Sequence, residues 1–380
     1  MRQEIVGAEA LATVRQLHRR SDLSMDSAWV ATYGRSKPSI MLYVGIAANH
    51  GEASRLVAAM DTAIRQQATP FRFAGQDTVE GGVARTFEGL GQLHYVFTDG
   101  ARAVWLAADS AVARGALAQA LGVSVDDEVL HAITPAGRPG SDDPLAVRGL
   151  GPLVRRLVEA GAIDTARLDT ALTQMGHPLT RRQRDVLGGR NLALRLDTAD
   201  AAFLLNALWP LGLVNRNAVL TQGPMAGTTG GRVMLFASTG GWKLSRAPVA
   251  DLYASEALIP LNAVEQARLM RVSHAVYRPC CDNPTDFPDC NHGMAMLALL
   301  TLQTAQGADD DALFAAARAA NAVWFPQQSR HVETVLATLG IDGDRPAVGR
   351  ELFSGSGHRV LMVRLARQDP SYSASAGPAC

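Results

Sequence analysis

Three of the four cysteines, Cys280, Cys281 and Cys290, share one short segment with His292, in the spacing Cys-Cys-x8-Cys-x-His. Three sulfurs and one imidazole make a full donor set for a tetrahedral soft metal ion. Thiolates select Zn(II), Cu(I) or an iron–sulfur cluster over Mg or Ca. The directly adjacent pair Cys280-Cys281 departs from the Cys-x2-4-Cys turns of zinc modules, because neighbouring side chains splay apart. A cluster accepts such a pair more readily, with each thiolate on its own corner. The sequence therefore ranks iron–sulfur slightly ahead of zinc, with copper behind both. If only three ligands come from protein, an open coordination position would suit metal-dependent catalysis.

The flanking residues fit a site. Pro279, Pro284 and Pro288 stiffen the loop, so little entropy is lost when ligands converge. Asp282, Asn283, Asp286 and Asp289 offer caps or acceptors behind the ligands, including one for the free ring N–H of His292. Cys290 precedes an apolar helical run, and the unpaired N–H groups of a helix start favour a thiolate. Arg278 would act in the same direction and is assigned to the cofactor site. Further along, Phe314, Ala317, Asn321, Trp324, Gln328 and His331 form one helical stripe that turns from apolar to polar. Asn321 and Gln328 are therefore expected beside the cofactor as well. The loop matches none of the common zinc-finger, ferredoxin, thioredoxin or c-type haem patterns.

Two other chemistries use the same residues. Cys290 could be a nucleophile with His331 or His292 as its base and Asn321 or Gln328 as orienter. Alternatively, a disulfide from Cys290 to Cys280 or Cys281 would make the loop a staple in a scaffold or partner-binding protein. The N-terminus lacks a basic stretch followed by an apolar core, so the chain reads as cytoplasmic, where thiols stay reduced. The longest apolar runs, 201–214 and 294–302, are too short for a bilayer, so no membrane span is expected. Lys plus Arg and Asp plus Glu are equal at 36 each, which argues against a nucleic-acid partner. Substrate, redox partner and oligomeric state leave no mark in the sequence.

The elements that must carry this loop follow from periodicity. Residues 9–19 and 50–67 have helical apolar stripes, and 28–33, 39–46, 83–87, 92–97 and 103–107 read as strands. Asp99-Gly100 is a hairpin turn. A further helix is expected at 111–121. This order predicts a small α+β domain, an antiparallel sheet with helices on one face, over residues 1–135. Alternation puts His94 on one face of its strand, expected to be the solvated one. The Gly/Pro/Ser/Asp-rich stretch 136–145 reads as a linker.

Residues 146–367 then read as a larger, mainly helical domain, with helices at 146–160, 164–175, 180–187, 198–213, 261–277 and 291–306. A long helix at 309–339 is expected to kink at Pro326. Residues 233–236 read as a strand between Gly-rich loops, and Trp242 as packing in the helical domain. Residues 352–367 are strand or helix. The Cys/His loop, 278–296, lies inside this domain. Residues 368–380, with Cys380, read as a disordered tail outside the site.

Overall fold

The computed structural model describes residues 2–18, 25–34, 40–66, 69–79, 82–109, 113, 116, 129, 145–229 and 232–368. The fold is α+β, as the periodicities imply: a seven-stranded antiparallel sheet with helices, then a mainly helical region. The chain separates into two compact units. One comprises Met1–Val125 with Leu261–Ala267, the other Asp126–Pro260 with Arg268–Cys380. The expected helix at 111–121, the linker at 136–145 and the tail lie wholly or mostly outside the described residues; Ala113 and Ala116 are helical.

The first unit runs β1 (Arg2–Val6), α1 (Gly7–His18), β2 (Ser27–Tyr33), β3 (Ile40–Ile46), α2 (His50–Gln66), β4 (Phe71–Val79), β5 (Gly82–Gly89), β6 (Gln92–Asp99) and β7 (Arg102–Ala108). The sheet order is β1-β2-β3-β7-β6-β5-β4. β1 and β4, the two edge strands, have no counterpart in the sequence reading. They are short or polar enough that alternation gives no apolar stripe. The helices α1 and α2 cover one face, where Val14 meets Val30 and Val57 meets Phe87 and Val96. The opposite face is also buried: Tyr95, Phe97, Val104 and Leu106 pack with Ala113 and Ala116.

His94 therefore corrects the solvated-face expectation, being only 3 % exposed. Its face is the one under α2. Its Nε2 donates to the Gly89 carbonyl at 3.0 Å, and its Nδ1 accepts from Trp105 Nε1 at 3.0 Å. That pairing fixes one neutral tautomer, because Trp105 can only donate. Burial pushes its pKa below the ordinary value, partly offset by the Gly89 bond.

The second unit opens with a small ribbon, β8 (Ala146–Val147) paired to β9 (Leu194–Arg195). Its main helices are α3 (Leu150–Glu159), α4 (Thr165–Gln174), α5 (Arg181–Leu187), α6 (Ala201–Val214), α7 (Ala263–Ala275, of which Arg268 onward belongs to this unit), α8 (Asn291–Ala305), α9 (Asp310–Trp324), α10 (Pro326–Leu339), α11 (Arg350–Phe353) and α12 (Gly355–Gln368). Caps explain several starts. The Asp164 side chain accepts from Ala166 and Arg167 at the head of α4, and Thr180 with Gln183 forms a capping box on α5.

Three boundaries differ from the sequence reading. The helix expected from 146 begins at Leu150, after Gly149 at φ 76°, a left-handed turn suited to glycine. Val233–Leu235 is a 3-10 turn rather than a strand, its apolar run being too short to pair. Residues 309–339 form two helices, not one kinked helix. Phe325 leaves the helical region at φ −134° and ψ 60°, as the residue before a proline does, and Pro326 starts α10, where its missing N–H costs nothing. The open question at 352–367 resolves as helix, with α11 and α12 meeting at Ser354.

The centre of this unit is α8 against α6. Gly212 lets the two backbones approach closely: a Cβ there would overlap the Met294 carbonyl. Met294, Leu297 and Leu300 of α8 are fully buried. A rigid, buried α8 fixes the position of Cys290 at its head.

Candidate metal centre

The loop from Val276 to Cys290 is tied down at nearly every turn. Tyr277 N–H donates to Val348, Thr285 N–H to Val276 and Ser238 N–H to the Asp289 carbonyl, at 2.8, 2.8 and 3.0 Å. Asp282 accepts from the Ser356 N–H at the head of α12, and Gly355 N–H donates to the Cys281 carbonyl at 2.7 Å. These bonds to Ser356, with Arg359 nearby, hold the Asp282 carboxyl below its ordinary pKa. The Gly-rich stretch around Ser238 thus serves as a brace for the cysteine loop. Trp209 Nε1 donates to the Ser238 carbonyl at 2.6 Å, and Trp242 Nε1 to Ala162 at 2.7 Å inside the same unit.

This frame brings three thiols together. The Sγ atoms of Cys280, Cys281 and Cys290 all lie within 4.8 Å of one another, and none of the three is in a disulfide. Cys280 and Cys290 are 3.7 Å apart at sulfur, against about 2.05 Å for a disulfide. The adjacent pair does converge, because Pro279 and Cys280 sit in a turn rather than in extended backbone. His292 does not complete the group of donors. Its ring lies 4.6 Å from that of Phe325 and 5.8 Å from that of Trp324.

Arg278 organises the thiols. It is 1 % exposed. Its Nε donates to Cys290 Sγ at 3.0 Å, Nη1 to the Asn283 carbonyl at 3.0 Å, and Nη2 to Phe287 O at 3.2 Å and Asp289 Oδ1 at 2.9 Å. Burial alone would pull the pKa of Arg278 down. The Cys290, Cys281 and Cys280 sulfurs outweigh it and hold the guanidinium above its ordinary range. Gly293 makes room for it, since a Cβ at that position would overlap the guanidinium. Cys290 caps α8 and also accepts from Gly293 N–H at 3.4 Å. Two N–H donors, one of them charged, therefore point at one buried sulfur, an arrangement that favours its thiolate.

The neighbours titrate accordingly. The Cys281 thiol is pulled down by its bond with Cys280, but Cys290 and burial outweigh this and raise it above the ordinary value. Burial raises the Asp289 carboxyl against the opposing pull of Arg278. Burial pushes His292 down to about 4, so its imidazole is neutral.

The remaining expected residues are spread around this core. Asn321 Nδ2 donates to the Tyr277 carbonyl at 3.0 Å and so buttresses the residue before Arg278. Gln328 is buried in the first turn of α10. His331 stands against His358, Nδ1 to Nε2 3.5 Å, with the two rings stacked at 15°. Among the buried polar atoms in or near the loop that have no hydrogen-bond partner among the described residues are Asp286 Oδ1, His292 Nδ1, Trp324 Nε1 and Asn321 Oδ1. Gly293, Gly355 and Phe325 escaped the sequence reading. The one available signal was a glycine in the first turn of an apolar helix, where glycine costs stability unless a close approach needs it.

No family model, no curated protein and no solved structure matches this chain.

Proposed function

We propose that the chain is a metal-binding protein in which Cys280, Cys281 and Cys290 hold a single soft ion, Zn(II) or Cu(I). The observation that carries this reading is the group of three thiol sulfurs within 4.8 Å of one another. Bonds of about 2.3 Å to one tetrahedral ion set sulfurs about 3.8 Å apart. The 3.7 Å between Cys280 and Cys290 fits that spacing. A cubane iron–sulfur cluster would put each thiolate on its own iron and needs the sulfurs farther apart. Charge supports the same reading. Three thiolates with a divalent ion carry one excess negative charge, and the buried guanidinium of Arg278 lies against Cys290 to offset it. Arg278, braced by Asn283 and Asp289, is then the group that holds the site's charge and shape.

A thiol nucleophile is less well supported. Cys290 is 4 % exposed, and the partner found for His331 is His358. The reading is tested by elemental analysis and thiol titration of protein purified anaerobically, wild type beside Cys290→Ser. The expected result is one zinc or copper per chain, loop thiols that react only after chelation, and loss of the ion in the variant. Metal-free wild type with all three loop thiols reactive would overturn it.

A further inference from the structure

Three donors leave a tetrahedral ion one ligand short, and the described residues supply no fourth His, Cys, Asp or Glu to the group. Asp289 Oδ1 stands 4.0 Å from Cys281 Sγ but is held by Arg278; the neighbourhood also contains buried polar atoms with no partner among the described residues. Trp324 Nε1, His292 Nδ1 and Asn321 Oδ1 all lack partners among the described residues. They lie close in the fold. His292 is in the first turn of α8, immediately after Cys290, and its ring meets those of Trp324 and Phe325. Asn321 is one turn before Phe325 on α9, whose N–H donates to the Asn321 carbonyl at 2.7 Å. Cys280 packs against the apolar cluster to which Phe325 belongs, with Trp324 beside the same cluster. Orphaned buried polar groups are rare in folded proteins, and several at one place point to something that binds there.

We infer that the fourth position of the ion is kept for a small exogenous oxygen ligand, water or a substrate hydroxyl, received by Trp324, His292 and Asn321. This rests on the trithiolate reading above. The chemistry of the three atoms defines the ligand class. An indole N–H only donates and an amide oxygen only accepts, so the ligand must both accept and donate. A hydroxyl does both. A thiolate or a carboxylate oxygen cannot donate to Asn321. The His292 ring nitrogen adds a donor or an acceptor according to tautomer. Phe325 closes the site on its apolar side, which favours a compact ligand.

The test uses full-length protein loaded with Co(II), whose visible bands report its coordination, with azide as the probe. Cobalt content is measured first. The expected result is one cobalt per chain, bands that shift saturably with azide, and Trp324→Phe with full cobalt content but about fivefold weaker azide binding, the loss of one hydrogen bond. Asn321→Leu should leave azide binding intact, since azide has no proton for Asn321, but change the azide-free bands. Bound cobalt with azide-insensitive bands that change in His292→Ala overturns the inference: His292 itself then fills the position. Azide binding identical in wild type and Trp324→Phe overturns the assignment of the orphaned atoms. Absence of bound cobalt sinks the trithiolate reading itself, and is read from the metal content before any azide is added.

Discussion

Two histidines in this chain, His94 and His292, show how differently the same side chain can be held. His94, under α2 in the sheet, has both ring nitrogens paired, one to Gly89 and one to Trp105. His292, at the head of α8, has a buried Nδ1 with no partner among the described residues, and the same holds for the indole N–H of neighbouring Trp324. Burial lowers the pKa of both. The difference lies in what their surroundings leave undone. A closed network such as His94–Trp105 specifies packing and asks for nothing more. An unfinished one beside three thiols is where a ligand would complete the structure.

The largest expected effect is on the unfinished side. Replacing Arg278 by Met removes the charge from a buried network and takes one donor from Asp289 and one from the Cys290 sulfur, which keep only Asn283 and Gly293. This should destabilise the fold by about 3–5 kcal/mol, measured by chemical denaturation of the metal-loaded protein, and lower metal content as well. Arg278→Lys should rescue little, since an ammonium cannot reproduce the four bonds of the guanidinium.

The two tryptophans sharpen the contrast. Trp105→Phe orphans His94 Nδ1 and should cost about 1–3 kcal/mol. In the metal-free protein Trp324→Phe deletes an N–H that has no partner among the described residues, so stability should stay within about 0.5 kcal/mol of wild type. Equal losses in the two variants would erase the distinction between a satisfied and an unsatisfied site. Gly293→Ala probes the same site through shape. Its methyl overlaps the Arg278 guanidinium, and a cost of about 1–3 kcal/mol is expected by thermal denaturation.

The smallest effect is in pH. His94 is neutral in the fold, with a pKa below that of the unfolded chain. Its neutral form is favoured above the unfolded value of about 6.5. As pH falls through that value the unfolded state takes up a proton that the folded state does not, so stability declines. Denaturation midpoints should therefore drop between about pH 7 and about pH 5.5, and drop less in His94→Gln. An unchanged slope in the variant would show that His94 does not contribute.

How much of this was legible in the chain depends on range. The helices and central strands follow from periodicity, and the Cys-Cys-x8-Cys-x-His spacing marks the loop on sight. The convergence of Cys280 with Cys281 was not legible, because it depends on a turn at Pro279 and Cys280 set by anchoring to Ser238, Val348 and Gly355. His94 was misjudged because alternation tells which residues share a face, not whether that face is covered. His292 was grouped with the cysteines by its nearness in sequence. In the fold, one helical turn aims its ring at Phe325 instead. Pro326 was seen, but its effect was underestimated: with a proline at the first position and Phe325 out of helix, a break replaces the kink.

A single ion held by three thiolates has a direct spectroscopic signature. X-ray absorption spectroscopy of the zinc-loaded, full-length protein at the metal edge tests for it most directly. The expected result is three sulfur neighbours at about 2.3 Å, one lighter neighbour and no second metal in the shell beyond. Fewer than three sulfurs, or a metal–metal distance, would contradict it.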